Sequence, residues 1–231
     1  MGLDNTFLLT VDGSVLSCGW AADGQTGCGS TSTIDTFTHV DIPHAVQKIS
    51  SCADSSIVLC NNGKVFGWGN NEYNQISPSR EMQVVSPLEI DLSGHVIVDV
   101  AAGGSFSLFL SDAGQLLSCG YGPGTAAPNG EVGLQSPCPV PCSHNLISVS
   151  ASLDHAAGIT SDNQLVRWGR GQHHKLISET DDDINQPEVL SQLKNRVKDV
   201  VCGSNKTCII TYEPIKSVSN LGMIEGDEED E

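Results

Sequence analysis

A repeat of about fifty residues is the feature that most constrains the fold of this chain. Its clearest copy is the octapeptide Asn-Gly-Lys-Val-Phe-Gly-Trp-Gly at residues 62–69. Related octapeptides occur at residues 12–19, 113–120 and 162–169. The glycines that close these segments are 50, 51 and 49 residues apart: Gly19, Gly69, Gly120 and Gly169. Chance does not produce this spacing together with matching flanks, so the sequence predicts a series of small repeated units.

Each copy of the repeat predicts short antiparallel strands. A short apolar run precedes the turn, as Ile57-Val58-Leu59 does in the second copy, and it is too short for a helix. The pair Asn62-Gly63 supplies the positive backbone angles of a tight hairpin turn, and a second strand then ends at the closing glycine. Upstream, apolar residues three apart, such as Val46 and Ile49, predict a further strand. Polar loops that usually contain proline separate the units.

Three or four such strands are too few to be stable alone, whereas radial stacking hides their faces and edges. The fold class predicted from the repeat is therefore all-β, with the units arranged as a β-propeller. The predicted units lie near residues 1–43, 44–95, 96–144, 145–195 and 196–212. Residues 213–231 lose the pattern, and six of the last seven residues are acidic, which predicts an acidic disordered tail.

The charge and the cysteines limit the possible functions. With 28 acidic and 11 basic residues the formal charge is −17, so direct sequence-independent binding to DNA or RNA is not expected. The nine cysteines are odd in number, include no Cys-x-x-Cys pair and follow no secretory signal, which favours free thiols in a reducing compartment. Four of them fall in predicted strands, where thiols act as small buried hydrophobes: Cys18, Cys60, Cys119 and Cys208.

No enzyme signature occurs in the sequence. A phosphate-binding glycine loop, a Gly-x-Ser-x-Gly elbow and a His-Glu-x-x-His helix are all absent, so we predict no catalytic residue, no cofactor and no metal site. His173 and His174 are adjacent rather than spaced for a helical metal site, and the acidic segment 179–183 lacks the glycine of a calcium loop. Trp68 and Trp168 precede closing glycines, which predicts packing between blades, whereas Trp20 follows one and is expected to be partly exposed.

The predicted strands end in Trp-Gly or Cys-Gly, and Gly-Gln-x-Gly follows. This pattern resembles that of the regulator of chromosome condensation repeat family, whose full members are seven-bladed propellers. Residues 17–29 carry the fuller pattern, whereas Asn74-Gln75-Ile76-Ser77 lacks both glycines. The resemblance extends over residues 1 to about 212. It implies an incomplete propeller of about four blades plus part of a fifth, similar to the carboxyl-terminal part of a family member. Because an open propeller exposes the sides of its end blades, we expect self-association.

Three segments, at residues 17–29, 66–73 and 119–122, resemble the mitochondrial branch of the family. This resemblance implies a location in the mitochondrial matrix or inner membrane, although no targeting segment is visible. It also implies a scaffold role, through protein partners, in ribosomal RNA stability and assembly of the large ribosomal subunit. An alternative from the same branch is guanine nucleotide exchange on the dynamin-like GTPase of inner-membrane fusion. Further alternatives are a nuclear exchange factor for the Ran GTPase and a repeat module of a ubiquitin ligase.

The family resemblance also points to candidate partner-binding residues. An exchange factor needs no covalent chemistry, because it accelerates nucleotide release by binding the nucleotide-free GTPase better than the loaded one. The resemblance implies that loops on one propeller face do this, with acidic groups opposing phosphate. The candidates are the pair Asp154 and His155, with Asp4 and Asp54 as the equivalents of Asp154. The alternative is that these aspartates only cap backbone groups in their turns.

Overall fold

The computed structural model describes residues 4–78, 81–127, 133–193 and 196–215, and the side chains of residues 133–135 lie outside the description. The first half of the described chain contains strands β1 Asn5–Leu9, β2 Val15–Gly19, β3 Ile34–Val40, β4 Val46–Cys52, β5 Ser55–Cys60, β6 Val65–Asn70, β7 Gln83–Glu89 and β8 Ile97–Ala102. The second half contains β9 Phe106–Ser111, β10 Leu116–Tyr121, β11 Gly133–Pro139, β12 Leu146–Ala151, β13 His155–Thr160, β14 Leu165–Gly169, β15 Ile184–Val189, β16 Val197–Gly203 and β17 Lys206–Thr211. Short 3₁₀ helices lie at Pro123–Thr125 and Gln172–His174.

These strands form five antiparallel sheets. Their strand orders are β1-β2-β3, β4-β5-β6-β7, β8-β9-β10-β11, β12-β13-β14-β15 and β16-β17. Each sheet consists of consecutive strands, which is the arrangement of propeller blades, and we number the blades one to five along the chain. The predicted all-β propeller architecture is confirmed, with three complete four-stranded blades flanked by a three-stranded and a two-stranded sheet in the described residues. The unit boundaries stay a prediction, and residues 216–231 of the predicted tail lie outside the described residues.

The hairpin turns form where the sequence predicts them. In blade two, Leu59 pairs with Val65, and the N–H of Gly63 donates to the oxygen of Cys60 at 3.0 Å. Gly63 has a φ of +80°. Glycine adopts this conformation with little steric strain because it has no Cβ atom. Asn163 takes the same position in blade four with a φ of +64°, as asparagine tolerates the left-handed region.

The first strand of each four-stranded blade forms its inner edge. Strand β8 contacts β4 on one side and β12 on the other, and β12 in turn contacts β16. Asp99 on β8 joins three blades, because its carboxylate accepts the N–H of Val149 at 2.9 Å and forms an ion pair with Lys48. The carboxylate of Asp99 also accepts the N–H of Val100, the next residue of β8, at 2.9 Å. Polar contacts as well as apolar packing therefore hold neighbouring blades together.

The apolar core lies between adjacent sheets. Trp68 and Trp168 are fully buried, and Phe7 of blade one meets Trp68 edge to face with a ring-centroid distance of 5.8 Å. The predicted packing of both tryptophans between blades is confirmed. Trp20 is 53% exposed, as predicted. No helix among the described residues is long and apolar enough to cross a membrane.

All nine cysteine thiols are free. The four predicted strand cysteines do lie in β2, β5, β10 and β17, but only Cys60 and Cys119 are buried. Cys208 is exposed on β17, so the expectation that it acts as a buried hydrophobe is wrong. Strand β17 belongs to a two-stranded sheet, and within the described residues no further sheet packs over it in the way that blade three packs over blade two.

Candidate partner-binding face

The antiparallel topology places the candidate residues on one face of the propeller. The turns between the first and second strands of a blade and the loops between its third and fourth strands lie at the same end of the strands. The turns are residues 53–54, 103–105, 152–154 and 204–205, and the loops that follow the third strands begin at residues 20, 71, 122 and 170. We call this surface, including Asp4 before β1, the aspartate face.

A repeated main-chain hydrogen bond fixes the candidate aspartates. The oxygen of Asp54 accepts the N–H of Asn70 at 2.8 Å, and Asp4 and Asp154 make the equivalent bonds to Trp20 and Arg170, each at 2.9 Å. Each bond brings the turn against the closing glycine of its blade. A Cβ on Gly69, whose φ is +102°, would lie 2.1 Å from the oxygen of Asp54. Glycine at this repeat position therefore sets the position of the aspartate main chain.

The carboxylate of Asp154 is neutralised within its own blade. Its Oδ1 atom lies 2.7 Å from Nζ of Lys175, and its Oδ2 atom lies 3.7 Å from Nε of Arg170. Lys175 is 4% exposed, so the Asp154 carboxylate is the counter-charge of a buried ammonium group. The predicted acidic group at blade four is thus one half of an ion pair.

His155 is the first residue of β13 and is fully buried. Its Nε2 atom lies 3.1 Å from Oγ1 of Thr207, and that hydroxyl donates its own hydrogen to the oxygen of Lys175 at 2.6 Å. The proton of the neutral imidazole therefore resides on Nε2 and donates to Thr207. Nδ1 has no hydrogen-bond partner among the described residues and lies 3.8 Å from Oδ1 of Asp154.

The imidazole of His155 stays neutral at physiological pH. Burial and, to a smaller extent, the positive charge of Lys175 lower the pKa of His155 to about 4, against the opposing effect of Asp154. A buried neutral ring cannot touch a docked protein. The ring instead fills the space behind Asp154 and, through Thr207, links blade four to blade five.

Asp54 has a different environment from Asp154. Oδ1 of Asp54 accepts a 3.2 Å hydrogen bond from Nε2 of Gln25, a neutral group. Burial raises the pKa of Asp54, and the negative charges of Asp23 and Asp4 raise it further. No ion pair to Asp4, Asp23 or Asp54 occurs within the described residues. The three carboxylates form an acidic cluster at the junction of blades one and two that attracts a cation.

The sequence predicts Asp4, Asp54, Asp154 and His155 as candidates, but it does not predict Lys175 and Gln25, the residues that give Asp154 and Asp54 different surroundings. Lys175 and Gln25 occupy the same position in the repeat, being 150 residues apart, yet one carries a charge and the other does not. An alignment of the repeats to one another would have shown that a lysine replaces the glutamine only in blade four. That single difference separates a neutralised aspartate from an unneutralised one.

The other polar clusters of this face are loop contacts. Asp183 accepts the N–H of Gly171 at 2.9 Å, and Asp181 accepts the N–H of His174 at 3.0 Å. Among the residues that the structure covers, no group of three or more His, Cys, Asp or Glu side chains, the acidic cluster included, is arranged to hold a metal ion. The hydroxyl of Thr207 lies beside the imidazole of His155, but it donates its hydrogen to the oxygen of Lys175 and is therefore not arranged as a nucleophile with His155 as its base.

The fold defines a class of protein: a β-propeller built from sequence repeats. The regulator of chromosome condensation (RCC1) repeat model matches residues 46–75 and residues 62–110. The chain belongs to this repeat family.

Known proteins with similar sequences carry exchange-factor names. The mouse RCC1-like G exchanging factor-like protein is 31% identical over 186 residues, which are 73% of this chain and 40% of that protein. The bovine secretion-regulating guanine nucleotide exchange factor is 29% identical over 77% of this chain and 41% of its own length. The chain thus spans about two fifths of the length of each of these two relatives.

The crystal structure of human WBSCR16 superimposes on this chain with a TM-score of 0.86 and 26% identity. The match covers 91% of this chain and 56% of that structure. Similarity of this extent confirms the propeller architecture.

Proposed function

We propose that this chain is a non-catalytic, protein-binding propeller that regulates a GTPase by guanine nucleotide exchange through the aspartate face. The observation that carries the proposal is the cluster of Asp4, Asp23 and Asp54, in which partial burial and then repulsion by the charges of Asp23 and Asp4 raise the pKa of Asp54. A lysine or arginine of a partner protein would relieve this repulsion and gain a charge-assisted contact. The exchange-factor names of the relatives support the same proposal.

The proposed mechanism requires only differential binding. The phosphates of a bound nucleotide are held in a P-loop GTPase by backbone N–H groups and by a lysine. Carboxylates presented by Asp4 and Asp54 would compete with those phosphates for the lysine, so that the complex favours the nucleotide-free state. Asp154 would support this face rather than contact the lysine, because its charge already belongs to Lys175.

Release of a fluorescent GDP analogue tests the proposal directly. The chain is added, with excess GTP, to Ran and separately to the dynamin-like GTPase of inner-membrane fusion. We expect release from one of them to accelerate by about tenfold or more, equivalent to about 1.4 kcal/mol of barrier lowering. The double variant Asp4→Asn, Asp54→Asn should lose the effect.

The matched control is Asp112→Asn, which removes an exposed carboxylate from a hairpin turn on the opposite face and should exchange normally. Failure of the folded chain to accelerate release from either GTPase would reject nucleotide exchange as the function. Loss of exchange in the Asp112 variant as well would show that net charge, and not the aspartate face, is responsible.

A second candidate is a mitochondrial scaffold that acts in ribosomal RNA stability and large-subunit assembly through protein partners. The likeness of residues 17–29, 66–73 and 119–122 to the mitochondrial branch favours it. Recovery of the tagged chain from crosslinked mitochondria tests this candidate. Enrichment of the large ribosomal RNA with assembly proteins would support it. Enrichment of the fusion GTPase without that RNA would favour exchange, and absence of the chain from the organelle would reject the mitochondrial assignment.

A further inference from the structure

Two exposed tyrosine rings stack on each other where blade two meets blade three. The ring centroids of Tyr73 and Tyr121 are 5.1 Å apart with an interplanar angle of 28°. Tyr73 is 38% exposed and Tyr121 is 46% exposed. Stacked aromatic rings that keep this much surface in water offer flat, rigid contact area of the kind that is enriched in protein interfaces.

The repeat fold does not require aromatic residues at these two positions. Counting by the repeat, Tyr73 is fifty residues after Asp23, and Tyr121 is fifty-one residues after Asn70. The junction of blades one and two therefore has Asp23 and Asn70 where the next junction has the two tyrosines. Since the propeller is built equally well with small polar residues there, packing of the blades does not explain the tyrosine pair.

Hydrogen bonds fix the described segment that carries Tyr73, residues 71–77. Asn71 is 2% exposed, and its side chain donates to the oxygen atoms of Ser77 and Glu81, each at 2.9 Å. Its Oδ1 atom accepts the N–H of Ile76 at 3.0 Å. The N–H of Tyr73 itself donates to Oε1 of Gln75 at 3.0 Å. A loop ordered in this way loses little conformational entropy when a partner binds.

The charge around the tyrosine pair selects the kind of partner. In blades one to three, the described loops of the aspartate face contain no lysine or arginine, and Arg80 lies outside the described residues. They do contain Asp23, Asp54 and Glu72, which oppose the phosphates of RNA or DNA and attract a cation. An arginine guanidinium satisfies both features, since it is cationic and stacks on aromatic faces.

The same contact occurs inside this chain. The guanidinium of Arg196 lies over the ring of Tyr212, 5.4 Å from its centroid. At Tyr73 and Tyr121 the rings are presented outward instead, on the face that bears the acidic cluster.

We propose that the Tyr73–Tyr121 pair is a docking platform for an arginine-bearing segment of a partner protein, with the guanidinium stacked on the exposed tyrosine rings and Glu72 beside it supplying negative charge. The platform deepens the proposed function, because it adds an arginine contact to the face that engages the partner. It requires that this face binds protein, but it does not require nucleotide exchange.

A binding assay without any GTPase tests the platform separately from exchange. The probes are a fluorescein-labelled ten-residue peptide of alternating arginine and glycine, the matching lysine peptide, and a labelled oligouridylate of ten nucleotides. Fluorescence anisotropy at low salt gives a Kd for each probe with the full chain. We expect the arginine peptide to bind about threefold or more tighter than the lysine peptide, because only the planar guanidinium stacks.

Variants assign the contact to the two rings. The double variant Tyr73→Ser, Tyr121→Ser should weaken binding of the arginine peptide about five- to tenfold and abolish its advantage over lysine. Tyr73→Phe, Tyr121→Phe keeps the rings and should bind normally. Phe37→Ser, on β3, removes an exposed aromatic ring elsewhere and should have no effect. Circular dichroism of each variant checks that the sheets remain folded.

Equal affinities for the arginine and lysine peptides, or unchanged binding by the serine variant, would overturn the proposal. Tighter binding of oligouridylate that the serine variant loses would also overturn it, and would identify the rings as a base-stacking platform instead. The peptide-binding assay contains no nucleotide or GTPase, so its results can be interpreted even if the exchange assay shows no acceleration.

Discussion

The indole Nε1 of Trp68 donates a 2.9 Å hydrogen bond to the main-chain oxygen of Gln25 in the preceding blade. Trp168 makes the same contact, at 2.9 Å, to the oxygen of Gly124. Each tryptophan lies on the third strand of its blade and reaches a loop of the blade before it. This contact joins neighbouring blades near the aspartate face, while Asp99 joins them at the inner edge. A repeat protein whose units are unstable alone depends on such contacts between units.

Replacing Trp68 by phenylalanine should lower the free energy of unfolding by about 1–3 kcal/mol, because a buried hydrogen bond is lost and a void replaces part of the indole. The oxygen of Gln25 keeps a 3.0 Å bond from Nδ2 of Asn5, which favours the lower end of that range. Urea unfolding followed by circular dichroism measures the change. Trp20→Phe is the control and should alter stability by less than about 0.5 kcal/mol, since that ring is 53% exposed. Equal losses in both variants would contradict the role given to Trp68.

The ion pair of Asp154 with Lys175 predicts different effects for two aspartates at the same repeat position. Asp154→Asn leaves the 4% exposed Lys175 without its 2.7 Å partner, so we expect a loss of about 2–4 kcal/mol. Asp54→Asn removes a charge from a repulsive cluster and should be neutral or stabilise the protein by about 0.5 kcal/mol. Thermal unfolding of both variants at pH 7 tests the contrast.

A second substitution tests whether the pair, and not the turn, is responsible. Lys175→Gln introduces the residue found at positions 25 and 75 of the repeat. The double variant Asp154→Asn, Lys175→Gln should recover most of the stability lost by Asp154→Asn, since no unpaired ammonium group remains buried. Additive losses in the double variant would mean that the turn geometry of Asp154 matters more than its charge.

The strands and hairpins could be predicted from the sequence because the repeat presents the same local signals several times. Asn62-Gly63 in one copy and Asp162-Asn163 in another define the turn position even though neither copy is perfect. The packing of Trp68 and Trp168 was predictable for the same reason, as both precede a closing glycine.

The chemistry of the candidate site could not be predicted to the same extent. The pairing of Asp154 with Lys175, twenty-one residues later, depends on how one loop folds back over one turn. Burial of His155 depends on Thr207 of the next blade, and the Tyr73–Tyr121 stack depends on two blades meeting. Such differences between copies break the repeat, so the signals that predict the fold do not report them.

The buried neutral His155 predicts a pH dependence of stability. In the unfolded chain the imidazole binds a proton near its ordinary pKa of about 6.5, whereas burial lowers the pKa in the folded state to about 4. As the pH falls through this window the unfolded state binds more protons than the folded state, so the free energy of unfolding falls. By pH 4.5 this single group should cost about 2–3 kcal/mol relative to pH 7.5.

Comparison with His155→Gln isolates that contribution from the acidic residues, which titrate in both proteins. Urea unfolding of both proteins from pH 7.5 to 4.5 measures the contribution. Over this range the wild type should lose about 2–3 kcal/mol more unfolding free energy than the variant does. His39→Gln removes an exposed histidine of β3 and should leave the wild-type pH profile unchanged. A constant difference between wild type and His155→Gln across the range would show that the imidazole titrates alike in both states.

The inner edge offers the sharpest test of how blades are joined, because the repeat contains its own control. Asp99→Ala leaves the buried N–H of Val149 and the ammonium group of Lys48 without their partner on β8, and we expect a loss of about 2–4 kcal/mol. Asp199 is the equivalent residue on β16, one hundred residues later. Its carboxylate accepts the N–H of Val200 at 2.9 Å, just as the carboxylate of Asp99 accepts the N–H of Val100, but the side chain of Asp199 is exposed. Asp199→Ala should therefore cost about 1 kcal/mol or less.

Amide hydrogen exchange locates the effect of Asp99→Ala within the fold. In this variant the Val149 N–H loses its bond to Asp99, which joins β12 to β8. Its exchange rate should therefore rise more than the exchange rates of blade-two amides that lie away from Lys48. In Asp199→Ala the Val149 amide should keep its protection. Two results would contradict this role of Asp99: equal destabilisation of both alanine variants, or unchanged protection of the Val149 amide in Asp99→Ala. Either result would mean that apolar packing alone holds neighbouring blades together and that the Asp99 carboxylate stabilises only its own strand, through the N–H of Val100.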